Sequence, residues 1–86
     1  MKHRYLPKVI DQMIALVPND GSENVLIDAL QNAKSSAEYS APENIAMHWE
    51  RTAHVLMDSF GIKEELFSDW QKRIINIWMN YKVFEV

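Results

Sequence analysis

Glu50, His54 and Asp58 stand four residues apart, a spacing that would put two carboxylates and an imidazole on one face of a helix. Such a trio could bind a hydrated divalent cation. One helix supplies too few ligands to hold a metal by itself, so the trio reads as a solvated face in which two acids flank a histidine. His48 lies six residues before His54, which turns the two imidazoles to different sides of a helix, and they do not form a chelating pair. The chain has no cysteine, which excludes disulfides, thiolate metal sites and a cysteine nucleophile. Its serines lie in no glycine-flanked elbow and no glycine-rich phosphate loop. No catalytic residue, metal ligand or cofactor is assigned, and the chain is expected not to be an enzyme.

Two other constellations concern binding. The last third of the chain has more large apolar residues than one stripe in a small bundle can cover. Leu66, Trp70, Ile74, Ile77, Tyr81 and Phe84 follow helical spacing, and Phe67, Ile75, Trp78 and Met79 widen the stripe around the helix. Either this helix is the central member of the bundle, or Phe67, Ile75, Trp78, Met79 and Phe84 face a protein partner, which tryptophan and methionine suit through large, adaptable contact areas. The second constellation is basic. Lys2, Arg4 and Lys8 make the first eight residues purely cationic, and Lys72 and Arg73 add charge to the last helix. These five residues are the candidates for phosphate contact if the protein binds nucleic acid. The net charge of -3 argues against a dominant electrostatic grip of that kind. Glu64, Glu65, Asp69 and Glu85 also cancel most of the late positive charge.

Periodicity defines the elements that would position these residues. Pro7 suits a first helical turn, and Val9, Ile10, Met13, Leu16 and Val17 recur at helical spacing, so a helix is expected over about 7–17. Pro18-Asn19-Asp20-Gly21 is a reversal. Ser22 is placed to cap a second helix over about 23–34, with Val25, Leu26, Ala29, Leu30 and Ala33 as its stripe. Ser35, Ser36 and Ser40 mark 35–41 as a connection. Ser40-Ala41-Pro42-Glu43 reads as a capping box opening a third helix over about 41–60, stopped at Gly61. A fourth helix is expected within 63–81. Ser68 followed by Gln71 offers a second capping box that would split it after a short turn at 62–67. For Val83, Phe84 and Val86, fraying, a continued helix and an edge strand all fit.

With 86 residues, two glycines and three prolines, the chain suits one domain built of a few long elements. The expected fold is all-α, a small antiparallel bundle of about four helices, with 1–6 and 82–86 as the ends most able to fray. Its core is expected around Trp49, Leu56, Phe60, Trp70, Ile74 and Ile77. No run approaches the roughly 20 apolar residues needed to cross a bilayer, and no secretory apolar run follows the N-terminus, so a cytoplasmic protein is expected. The leading expectation is a small non-enzymatic module that binds protein, either its own copy or another chain, as a regulator, inhibitor, immunity factor or assembly subunit. A nucleic-acid-binding regulator is the alternative, and no membrane partner is expected.

Overall fold

The computed structural model describes residues 6–81. The chain is an antiparallel bundle of four helices: α1 (Leu6–Leu16), α2 (Asn24–Glu38), α3 (Ile45–Phe60) and α4 (Asp69–Asn80). Short 3-10 turns at Pro42–Asn44 and Glu64–Leu66 precede α3 and α4, and there is no strand among the described residues. The radius of gyration is 12.5 Å, close to the value of about 12 Å expected for a compact chain of this length. Among the described residues, no helix is long and apolar enough to cross a membrane.

The helices pack in a ring, α1 on α2, α2 on α3 and α4 back on α1, while the backbones of α3 and α4 approach each other least. The most enclosed element is α1, with Leu6, Ile10 and Met13 fully buried, and Val17 just beyond it is buried too. Leu26, Leu30 and Ala37 of α2 meet them, and α3 and α4 each add one buried apolar residue, Leu56 and Ile74. The core therefore lies nearer the first two helices than the sequence alone indicates. Leu56 and Ile74 are buried as expected, but Trp49, Phe60, Trp70 and Ile77 are only half-buried and pack against the core from outside. The most enclosed helix of the bundle is α1, not the last helix.

Local chemistry explains where the elements depart from expectation. Gly21 takes the positive φ of 91° that the reversal needs. Ser22 does not cap α2. Its N–H and hydroxyl both donate to Asp20 Oδ1, an Asx-type turn that uses the hydroxyl before the helix begins at Asn24. The stretch expected as a connection is mostly helical, because α2 runs through Ser35 and Ser36 to Glu38. The apolar stripe Leu26, Leu30, Ala33 continues to Ala37, whose burial outweighs the weak helix propensity of two exposed serines. Lys34 fastens this part of α2 to α1 by an ion pair to Asp11 at 2.9 Å, which raises the lysine pKa above its ordinary value.

The capping box expected at Ser40 does not form. A 3-10 turn lies between Ser40 and the first α-helical residue, Ile45, and the Ser40 hydroxyl donates instead to the Ala41 carbonyl. At the other end of α3 the chain stops at Gly61, with φ of 77° and its N–H on the Met57 carbonyl at 3.0 Å. The two readings of the last third resolve to the split one. Ser68 and Gln71 form the capping box of α4, the Ser68 N–H donating to Gln71 Oε1 at 2.6 Å. Val83, Phe84 and Val86 lie outside the described residues, as do Lys2 and Arg4.

Candidate protein-binding groove

Aromatic side chains join α3 to α4 where the backbones do not. Trp49 and Trp78 stack with ring centroids 4.1 Å apart, and Trp78 Nε1 donates to the Trp49 carbonyl at 3.2 Å. Nearer the connection, Phe60 makes edge contacts with Trp70 at 5.5 Å and Phe67 at 5.6 Å. Rings of this size used as spacers keep two helices too far apart for small side chains to close the gap. The result is an open apolar groove of about 270 Å³.

One wall is the C-terminal half of α3, with Ala53, Leu56, Met57 and Phe60. The other is α4, with Ile75, Trp78 and Met79. Gly61, Ile62, Glu64 and Phe67 of the connection close one end. The four described members of the sequence-predicted apolar set, Phe67, Ile75, Trp78 and Met79, thus converge on a single feature. The capping box makes this possible: by starting α4 at Asp69 it leaves Phe67 in an extended residue (φ -67°, ψ 136°) that turns back toward Phe60.

Sequence reasoning missed the rest of the surface. Ile62 is 87% exposed and Met57 57%, and with the expected Met79 at 67% they put large apolar side chains in water along this groove. The available signal was Gly61-Ile62 followed by Leu66-Phe67 before a capping serine. Apolar residues in a connection have no helical stripe to join. Among the described residues the groove holds one carboxylate, Glu64, and neither nucleophile nor histidine, which suits it to apolar groups.

The remaining candidates lie elsewhere. His54 and Asp58 line a more polar cleft of about 440 Å³ between α2 and α3, with Asn32, Ser36, His48 and Arg51. Glu50, four residues before His54 on the same helix, does not line it. Among the described residues no group of three or more His, Asp or Glu side chains is placed to hold a metal ion. His48 is 8% exposed and His54 is exposed, although both border this cleft. Burial, with the nearby Arg51 charge, holds the His48 imidazole below its ordinary pKa. Of the basic set, Lys8 is exposed on α1, Lys72 and Arg73 are exposed on α4, and Arg73 pairs with Asp69 at 3.3 Å.

No family matches. No protein-family model fits the chain, and neither a curated protein nor a solved structure is similar to it.

Proposed function

We propose that this chain is a small non-enzymatic module, of the regulator, inhibitor, immunity or assembly type, that binds protein through the groove between α3 and α4. One observation carries the reading: Phe67, Ile75, Trp78 and Met79 meet Met57 and Ile62 around a single open apolar groove. Methionine and aromatic side chains are the residues protein-binding patches favour, because they bury large areas and adapt or anchor. The same proposal places the module in the cytoplasm with a protein, not a lipid surface, as its partner.

The test is affinity capture from native cell extract with the wild type and with Met57→Glu/Met79→Glu. Both side chains are more than half exposed, so the double variant keeps its helical circular dichroism. Proteins retained by the wild type are expected to be lost by the variant and kept by Val25→Glu, which lies on an exposed position of α2. Equal retrieval by all three forms overturns the assignment.

A further inference from the structure

We infer that the cleft between α2 and α3, a site separate from the apolar groove, binds a small zwitterionic molecule with its carboxylate at Arg51 and its ammonium at Asp58. The cleft's volume of about 440 Å³ lies within the range of small-ligand sites. His48 borders it and is only 8% exposed, yet its imidazole has no hydrogen-bond partner among the described residues. A polar ring so nearly buried ordinarily has one. The cleft is where such a partner fits.

The two ends of the cleft differ in charge. Because α2 and α3 form a hairpin about the connection at 39–44, Ser36 lies with His48 and Arg51 at the end near the connection, and Ala29 lies with Asp58 at the far end. Neither Arg51 nor Asp58 forms an ion pair among the described residues. They stand seven positions apart on one flank of α3, about two turns or 10 Å along its axis. Near the connection, the Arg51 fork matches the two oxygens of a carboxylate. Burial and the Arg51 charge hold the His48 imidazole below its ordinary pKa, so at neutral pH the ring keeps one N–H to donate, beside the Ser36 hydroxyl. At the far end the Asp58 carboxylate accepts from an ammonium. Between the ends Ala29, Ala33 and Val55 present small apolar side chains, which suit a short methylene chain. A molecule of this length with an anion at both ends meets Asp58 as a like charge, and one with a cation at both ends meets Arg51.

The test uses 6-aminohexanoate, which holds a carboxylate and an ammonium at opposite ends of a methylene chain, with hexanoate and hexylammonium as its one-ended counterparts. Titration of the full chain to about 50 mM, followed by the imidazole NMR signals of His48, should saturate with a dissociation constant of about 1 mM. Hexanoate and hexylammonium should each bind about two- to fivefold more weakly. Arg51→Gln should weaken both 6-aminohexanoate and hexanoate by about fivefold or more. Asp58→Asn should weaken 6-aminohexanoate by about two- to fivefold and leave hexanoate no weaker. Both residues are exposed on α3, and helical circular dichroism checks that each variant folds. A His48 shift that never saturates, or that is indifferent to Arg51→Gln, overturns the site. Equal affinity of the wild type for 6-aminohexanoate and hexanoate overturns the zwitterion assignment.

Discussion

His48 holds its imidazole against the body of the bundle with 8% exposure, and its carbonyl accepts the buried Thr52 hydroxyl at 2.9 Å. Burial disfavours the imidazolium and the Arg51 charge adds to the effect, so the folded pKa lies below the ordinary value of 6.5. The sign of the linkage follows. As pH falls through about 6.5 the unfolded chain takes up its proton first, so stability is full above that pH and declines below it until the folded imidazole also protonates. Chemical denaturation at pH 7.5 and pH 5 should therefore show a larger loss for the wild type than for His48→Gln. Equal losses would mean that His48 is not desolvated. The sequence placed His48 and His54 on different sides of a helix; they differ in burial, but both border the same cleft. Which side faces the core was not legible, because position 48 shares a helix with the apolar residues of its own stripe and with the polar ones next to it.

At the scale of elements, α3 and α4 are held together by rings more than by backbone approach, so their joint should be cooperative. In a double-mutant cycle of Trp49→Leu and Trp78→Leu, which removes the rings, the stacked pair should give a coupling of about 0.5–1.5 kcal/mol by urea denaturation. Additive single effects would show that the stack contributes nothing beyond area. Element boundaries were legible where a single residue decides them: Gly61 ends α3 because only glycine adopts its positive φ at no cost, and Ser68 with Gln71 opens α4 through two reciprocal bonds. They were illegible where packing decides. The two serines of α2 resemble a connection until Ala37 is seen to be buried, and the Ser40 box resembles a helix start until the 3-10 turn displaces it by more than a turn.

For the molecule as a whole, stability should track α1 and its contacts with α2. Leu30→Ala, at a fully buried position of α2, should cost about 2–5 kcal/mol, comparable to the roughly 3–5 kcal/mol net stability of an unstapled domain of this size. Val25→Ala, exposed on the same helix, should stay within about 0.5 kcal/mol. Denaturation midpoints compare the two directly, and similar losses would refute the placement of the core.

The apolar residues recurring every three to four positions, with few glycines and prolines to interrupt them, were enough by themselves to determine an all-α chain of four helices. That is a local property, since period and interruption are written along one segment at a time. The same pattern identified Phe67, Ile75, Trp78 and Met79 as surplus to a single stripe. Only the tertiary structure decided that α1 is the most enclosed helix, that the tryptophans act as spacers, and that Met57 and Ile62 join the surplus on one surface. Those outcomes depend on which helix lies beside which and at what distance, and side chains brought together from α3, α4 and the turn between them have no common period in the sequence.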